Sequence, residues 1–160
     1  MDIELEPAYG CPDETALLFS EYTSLLTKID GSFQQYLELQ NYSEELANPQ
    51  KKYSPPDGRL YLARCDGKLA GCIALKKIDA LSCEMKRLYV RPQFRGSHIG
   101  SVLVRRIIED ARSIGYERMM LDTFPSLKSA IQLYKKYGFH EIPCYNNNPM
   151  KDALYMQLDL

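Results

Sequence analysis

The sequence predicts an α/β protein with one mixed β-sheet and helices on both of its faces. Segments with apolar residues at every second position alternate with segments whose apolar residues recur at helical spacing. The dipeptide Asp66-Gly67 lies between two apolar segments, which is a strong signal for a tight β-hairpin. A basic segment that contains glycine, Arg95–Gly100, joins a strand to a helix. We therefore expect the element order β-α-α-β-β-β-α-β-α-β-β.

The amino-terminal third is expected to contain one strand, two helices and a loop. Ile3 and Leu5 alternate with acidic residues, which is typical of a half-exposed strand. Pro12 and the two acids after it predict a helix start. The expected elements are a strand at residues 2–9, a helix from Pro12 to about Asp30, a helical region at about Phe33–Leu46, and a loop at Asn48–Gly58.

The rest of the chain is expected to alternate strands and helices. Gly115 and Gly138 follow apolar stripes at helical spacing and predict the ends of two helices. Ser126 predicts the amino-terminal cap of the second of these helices. The expected strands are Arg59–Cys65, Lys68–Lys77, Cys83–Val90, Tyr116–Thr123, Phe139–Tyr145 and Ala153–Leu158, with helices starting at Ile99 and after Ser126.

Composition excludes several classes of protein. The chain has 160 residues, which suits one domain spanning residues 1–160. Its 20 basic and 21 acidic residues nearly cancel, so no general field attracts nucleic acid or an anionic membrane. No apolar segment reaches the roughly 18 residues that span a bilayer, and the first residues lack the pattern of a signal peptide. We expect a cytoplasmic protein, with monomer and homodimer both open.

The cysteines and histidines argue against disulfides and against a metal site. There are five cysteines, an odd number, with no Cys-x-x-Cys pair, and Cys65, Cys72 and Cys83 fall inside expected strands. Reduced, buried thiols are the better interpretation. Only His98 and His140 could complete a zinc site, so we expect no metal.

The segment after strand Cys83–Val90 predicts a phosphate site. Pro92 cannot donate to a strand ladder, so pairing should stop there. Arg95–Gly100 then turns into a helix, whose free N–H groups and dipole favour an anion. Gly96 would let the backbone approach a phosphate, and Arg95 would add charge-assisted hydrogen bonds. The alternative is an ordinary strand–helix turn that needs glycine for its geometry.

Two motifs in this element order resemble those of the GNAT superfamily of acyl-CoA-dependent N-acetyltransferases. The family's central motif is Arg or Gln, two residues, Gly, one residue, then Gly or Ala; Arg95 and Gly100 match it, while His98 replaces the first glycine. Leu-Tyr-x-x-x-Gly-Phe on the last helix is matched fully by residues 133–139. Leu127 stands where an asparagine often contacts CoA. The resemblance implies a mostly antiparallel sheet of six or seven strands with about four helices, whose fourth and fifth strands splay apart.

The resemblance also implies how acetyl-CoA would bind as co-substrate. Backbone groups of the fourth strand would pair with the pantetheine arm, as an added strand does, and the thioester would lie in the gap between the splayed strands. His98 could crowd the pyrophosphate, strengthen its binding when protonated, or have no contact with it. The implied cofactor contacts are Leu88, Tyr89, Val90, Arg95, Gly96, Ser97, His98, Ile99, Gly100 and Ser101.

Two residues match the family's catalytic positions. Glu84 lies where family members carry a glutamate base; its alternative is a structural carboxylate paired with Lys86 or another cation. Tyr134 matches the tyrosine that protonates the departing thiolate; its alternative is a core residue. Cys83 has no neighbouring histidine to activate it, which favours direct transfer in a ternary complex over an acyl-enzyme.

The acceptor is the least specified part of this hypothesis. The elements that wall the acceptor pocket in this fold carry aromatic and amide side chains, which suit the primary amine of a small polar, amino-acid-like molecule. The rival class is an acyl-CoA-binding sensor without turnover, and His98 and Leu127 keep it open. A different nucleotide-binding fold is disfavoured because no Walker or dinucleotide motif is present. The residues considered for the pocket are Tyr22, Tyr36, Tyr42, Tyr53, Tyr145 and Asn146–Asn148.

Overall fold

The computed structural model describes all 160 residues and contains one seven-stranded sheet. The strand order is β1-β2-β3-β4-β5-β7-β6, and every neighbouring pair is antiparallel except β4–β5. The strands are β1 (Ile3–Pro7), β2 (Arg59–Cys65), β3 (Lys68–Lys77), β4 (Ser82–Val90), β5 (Arg118–Thr123), β6 (His140–Ile142) and β7 (Leu154–Asp159). The predicted fold class is confirmed.

Six α-helices flank the sheet. They are α1 (Pro12–Ile29), α2 (Phe33–Leu39), α3 (Tyr42–Ala47), α4 (Pro49–Lys52), α5 (Ile99–Ile114) and α6 (Lys128–Lys136). The predicted bounds of α1 and α5 are confirmed, as are both strands of the hairpin around Asp66-Gly67. No helix is long and apolar enough to cross a bilayer.

Besides shifts of strand ends, such as β1 ending at Pro7 instead of residue 9, four differences from the sequence prediction have a clear local cause. The second helical region is divided into α2 and α3 because Asn41 adopts a left-handed conformation with φ 54°. The expected loop after it contains the short helix α4, which starts at Pro49. Ser126 does not cap α6: a turn closed by Leu127 N–H and the Phe124 carbonyl moves the cap to Leu127. Strand β6 is short because Pro143 follows it and has no N–H to donate.

Strands β4 and β5 pair over only three residues and then separate. Ser82, Cys83 and Glu84 pair with Arg118, Met119 and Met120, whereas both strands continue beyond that point. This separation is the expected splay.

A β-bulge at Arg87 controls which side chains of β4 face the helices. Cys72 pairs with Tyr89 and Ala74 pairs with Lys86, so two residues of β4 lie opposite Ile73. Arg87 has φ 59°, an uncommon value for a long side chain. As a result, Lys86 and Arg87 both reach the helix α2 side of the sheet, where both contact the amide oxygen of Gln40.

The two faces of the sheet bury separate cores. A cluster of 21 buried residues joins the sheet to α5 and α6, and a cluster of nine lies under α1 on the other face; a third cluster of six packs α1 and α2 on Phe124 and Met150. All five cysteines are free; Cys65, Cys72 and Cys83 are buried in strands as expected, whereas Cys11 is only partly buried and Cys144 is exposed.

Candidate active site

A cleft opens where β4 and β5 separate. Its walls include Lys86, Arg87 and Leu88 of β4, Asp122 of β5, and Tyr134 of α6. The enclosed part of the cleft is about 30 Å³, while the empty space including its open mouth is about 530 Å³. The enclosed volume is well below the roughly 300–1,000 Å³ of typical ligand pockets, so a ligand would occupy mainly the open mouth of the cleft.

The segment between β4 and α5 contains the residues that the sequence analysis predicts to bind a phosphate. Gly96 has φ +84°, which only glycine adopts without strain, and an added Cβ would meet nothing within 4 Å. In α5, the first backbone N–H that makes a helical hydrogen bond is that of Val102, which donates to the His98 carbonyl over 3.1 Å. The N–H groups of the preceding turn are therefore free for an anion, as at other helix starts.

Side chains around the loop stabilise its conformation. Arg95 Nε donates to the Val90 carbonyl over 3.2 Å, and the Ser97 hydroxyl bonds the Phe94 carbonyl. Ser101 Oγ and the Tyr137 hydroxyl lie 2.6 Å apart, which ties the first turn of α5 to the end of α6. Gly100 packs against α6, because an added Cβ would lie 3.4 Å from Leu133 Cδ2, at the limit of ordinary contact.

His98 has a backbone conformation that explains the glycine common at its position in the family motif. Its φ is +67°, in the left-handed region where glycine is free of strain. Histidine is among the residues enriched several-fold in that region, which accounts for its being tolerated. The side chain is exposed at the amino-terminal end of α5.

The β4 edge that faces β5 has no strand partner beyond Glu84. Leu88 lines the cleft at this edge, while Tyr89 and Val90 pair with Cys72 and Gly71 of β3 on the other side. An unpaired edge of this kind can accept an extended, amide-containing chain. Tyr89 directs its ring away from the cleft toward α1, where its hydroxyl donates to Glu21 over 3.2 Å.

Tyr134 brings a free hydroxyl into the cleft. The side chain is 7% exposed, and its ring packs on Phe139 with the centroids 5.7 Å apart. No protein group hydrogen-bonds the hydroxyl. Burial raises the pKa of Tyr134 above its ordinary value, so the group keeps its proton at neutral pH. A protonated hydroxyl with no partner can donate to an anion formed in the cleft.

Glu84 lies behind the cleft wall rather than in it. It is 6% exposed, and the Tyr145 hydroxyl donates to Oε2 over 2.5 Å. Lys86 Nζ lies 3.7 Å from Oε1, so the structural pairing considered for Glu84 is present. A proton from the cleft can reach Glu84 only through Tyr145, Lys86 or a water molecule.

Glu84 belongs to a group of charged side chains that the sequence did not reveal. We call this group the charge cluster; its members are Glu45, Lys52, Glu84, Lys86 and Arg87. Arg87 donates to both oxygens of Glu45, over 2.7 and 3.1 Å, and Lys52 Nζ donates to Glu45 over 3.0 Å. Burial alone would raise the pKa of Glu45, but Arg87 and Lys52 outweigh it and lower the pKa to about 2. Glu45 is therefore ionised at any ordinary pH.

Among the members of the charge cluster that line the cleft, Lys86 makes the fewest side-chain hydrogen bonds. Its side chain is 7% exposed, and Nζ donates to the Gln40 amide oxygen over 2.5 Å. Burial lowers the pKa of Lys86 to about 8, although the nearby Glu84 carboxylate acts in the opposite direction.

Asp122 is a second site residue that the sequence analysis missed. The Tyr36 hydroxyl donates to its Oδ2 over 2.5 Å, and the Asn146 and Asn148 amides donate to the same oxygen over 2.9 and 3.4 Å. Asp122 thus ties α2 and the β6–β7 loop to β5. In the sequence, Asp122 could have been identified only as an acidic residue near the end of a buried strand.

The residues considered for the acceptor pocket separate in the structure. Tyr22, Tyr36 and Asn148 line the cleft, and Tyr145 contacts Glu84. Tyr53 is wrong as a pocket residue because it is 0% exposed within the core under α1. The Tyr42 hydroxyl lies 3.1 Å from Thr23 Oγ1 and does not reach the cleft.

A mixed sheet whose only parallel strands, β4 and β5, splay apart over a cleft is the architecture of the acyl-CoA N-acyltransferases. PaiA N-acetyltransferase from Thermoplasma acidophilum, solved with coenzyme A, has the same fold with a TM-score of 0.78, covers 100% of both chains and is 20% identical. A GNAT family acetyltransferase from Elizabethkingia anophelis with acetyl-CoA bound is 27% identical, with a TM-score of 0.57 over 72% of this chain and 87% of that one.

Sequence comparison identifies the family. An uncharacterized N-acetyltransferase of Schizosaccharomyces pombe is 40% identical over 150 residues, which cover 92% of this chain and 88% of that protein. Residues 22–139 match the model of the acetyltransferase (GNAT) family. The chain therefore belongs to the GNAT family and is an acetyl-CoA-dependent N-acetyltransferase.

Proposed function

We propose that this protein transfers the acetyl group of acetyl-CoA directly to the primary amine of a small polar, amino-acid-like acceptor, in a ternary complex. The observation that carries the proposal is the free hydroxyl of Tyr134 in the cleft at the unpaired edge of β4. Opposite charges from Lys86 and Asp122 line the same cleft, which suits a polar acceptor. The free thiols agree with a reducing, cytoplasmic setting.

The residues of the phosphate loop fit the pyrophosphate of CoA. The free amides between Gly96 and Ser101 would donate to its oxygens, and Arg95, which is exposed, would leave the Val90 carbonyl to pair with it. The exposed His98 side chain leaves the backbone of the loop open to the ligand. The backbone of Leu88, Tyr89 and Val90 would hold the pantetheine arm at the β4 edge.

The chemistry requires two protons to leave the acceptor's ammonium group. Loss of the first exposes the nitrogen lone pair, the nitrogen then bonds to the acetyl carbon, and the carbon–sulfur bond breaks. Glu84 accepts the first proton through Tyr145 or a water molecule, since its carboxylate does not reach the cleft. Tyr134 donates its hydroxyl proton to the departing thiolate. The second proton lost by the nitrogen then reprotonates the Tyr134 hydroxyl.

The position of Cys83 supports direct transfer rather than an acyl-enzyme. Its side chain is 0% exposed in the core on the α5 side of the sheet. Burial raises the pKa of the Cys83 thiol to about 12, which suppresses the nucleophilic thiolate.

The test is release of CoA thiol from acetyl-CoA with a panel of amines and amino acids, together with thermal unfolding. Saturating acetyl-CoA should raise the melting temperature by mass action. Tyr134→Phe should lower kcat by about 100-fold, the usual order for a lost proton donor, and leave acetyl-CoA affinity within about twofold. The control is Tyr116→Phe, whose hydroxyl donates to the Asp57 carbonyl outside the cleft. Binding of acetyl-CoA without release of thiol to any amine would favour a sensor.

A further inference from the structure

We propose that the acceptor is a zwitterion, an amine with a carboxylate close to it, and that Lys86 binds the carboxylate while Asp122 binds the ammonium. This inference rests on the proposed transfer reaction and specifies the substrate class of the same cleft. It is carried by the register of β4 and β5, by the unused hydrogen-bonding capacity of the two side chains, and by the charge balance around them.

The strand register places Lys86 and Asp122 opposite each other. Glu84 and Met120 form the last pair between β4 and β5. Lys86 and Asp122 each lie two residues beyond that pair, and residues two apart on a strand project from the same face. Neighbouring paired strands are about 4.8 Å apart, and these strands diverge at this point, so the two side chains face each other across a gap.

The two opposite charges do not contact each other. Lys86 forms an ion pair with Glu84 at 3.7 Å and none with Asp122. Both nevertheless line the one cleft. A cation and an anion held apart on the walls of a cleft are complementary to a ligand with the reverse charges.

Each side chain has hydrogen-bonding capacity to spare. The Lys86 ammonium has three donors and uses one on Gln40, while Glu84 at 3.7 Å is beyond hydrogen-bond distance. All three donors to Asp122 bind Oδ2, which leaves Oδ1 without a protein partner. A carboxylate can therefore bind Lys86 and an ammonium can bind Oδ1 without displacing a protein hydrogen bond.

The other cation beside the cleft is already committed. Arg87 gives its charge to Glu45 in a two-point ion pair in which the side chains are 4% and 1% exposed. Lys52 is also paired with Glu45. Lys86 is therefore the cation available to a ligand.

Charge balance favours an acceptor without net charge. The charge cluster holds three cations and two carboxylates, and Asp122 on the opposite wall brings the total to zero. A simple ammonium or a polyamine would add an uncompensated charge to this poorly solvated site, at an energetic cost. A zwitterion adds one charge of each sign and places each against its opposite.

The experiment pairs L-amino acids with their carboxamides, which keep the amine and lack the carboxylate. The wild-type enzyme should use the best acid at least about 10-fold better in kcat/KM than its amide. Lys86→Met should reduce kcat/KM for the acid at least about 10-fold more than it reduces kcat/KM for the amide, because any effect of the substitution on Glu84 is common to both substrates. Lys86→Arg should recover part of the loss. Lys51→Met, at an exposed lysine of α4, is the matched control.

The outcomes separate the two proposals. Equal use of acids and amides by the wild type, or equal losses for both in Lys86→Met, would overturn the zwitterion while leaving the transferase intact. If none of the amines tested causes thiol release, the proposed function itself is overturned. Melting temperature and acetyl-CoA affinity of each variant show whether the fold and the cofactor side are preserved, so a poorly folded Lys86→Met leaves Lys86→Arg and the wild-type preference as the deciding measurements.

Discussion

The proposed cofactor side and the proposed acceptor side of the site are built from different kinds of chemical group. The cofactor side presents main-chain groups: the free amides at the start of α5 and the unpaired edge of β4. The acceptor side presents buried side-chain charges, with Arg87 on Glu45 and Lys86 beside Glu84. A main-chain site depends on local backbone conformation, whereas a site of buried charges depends on every partner being present.

This difference implies unequal tolerance to substitution. A side chain that changes in the phosphate loop leaves the amides in place, as His98 shows by occupying a position suited to glycine. In the charge cluster, removal of one partner leaves a desolvated charge without compensation. We therefore expect stability to depend mainly on the acceptor side.

The largest expected effect is that of Glu45→Gln on stability. The substitution leaves Arg87, which is 5% exposed, without its anionic partner. Breaking a buried ion pair in this way costs about 3–5 kcal/mol, measured as the free energy of unfolding in urea. Glu44→Gln, at the exposed neighbouring residue, should change it by less than about 0.5 kcal/mol. Equal effects of the two variants would show that the acceptor side is not the more sensitive one.

Next in size is the acid dependence of stability that Glu45 contributes. Its pKa is about 2 in the folded protein against an ordinary 4.5. This difference corresponds to about 3 kcal/mol of folding free energy. Because the folded pKa is the lower one, this stability is present above about pH 4.5 and is lost as the pH falls toward 2. Urea unfolding between pH 6 and pH 3 should show the loss, and Glu45→Gln should show less of it. An unchanged slope in the variant would contradict the assignment.

Glu84→Gln is expected to have a smaller effect: it should raise the activation free energy of turnover by about 1–3 kcal/mol. Activity should fall about 10- to 100-fold near pH 6, where the acceptor amine is protonated, and much less near pH 9. The measurement is the pH profile of kcat, with Glu141→Gln on the exposed strand β6 as control. A loss of the same size at every pH would identify Glu84 as a structural partner of Lys86 and Tyr145.

The smallest expected effect is a gain in stability from His98→Gly. Histidine is strained at φ +67°, and glycine relieves about 1–2 kcal/mol of strain while adding unfolded-state entropy, which leaves a net gain of about 0.5–1 kcal/mol. Acetyl-CoA affinity should stay within about twofold. Gln93→Gly, at an exposed residue without positive φ, should destabilise the protein instead. A clear loss of affinity in His98→Gly would assign the imidazole a contact with the anion.

Local pattern was sufficient to predict the elements that form the proposed cofactor side. The hairpin around Asp66-Gly67, the bounds of α5 and the loop from Arg95 to Gly100 each depend on residues close together in the chain. Turn chemistry and helical spacing act over a few residues, so the sequence alone indicated these elements and the fold class. Element ends were less predictable, because a turn at Phe124 and the proline after β6 decided them.

Only the tertiary structure decided the acceptor side. The bulge at Arg87 breaks the alternation of β4 and places two consecutive cations on one face, which strand periodicity does not predict. Glu45 meets Arg87 across 42 residues of chain, and Asp122 meets Tyr36 across 86. Such contacts follow from how the helices pack over the separated strands. The sequence by itself therefore determined the loop and helix start that we propose for the cofactor phosphate, and long-range packing determined which charges line the proposed acceptor side.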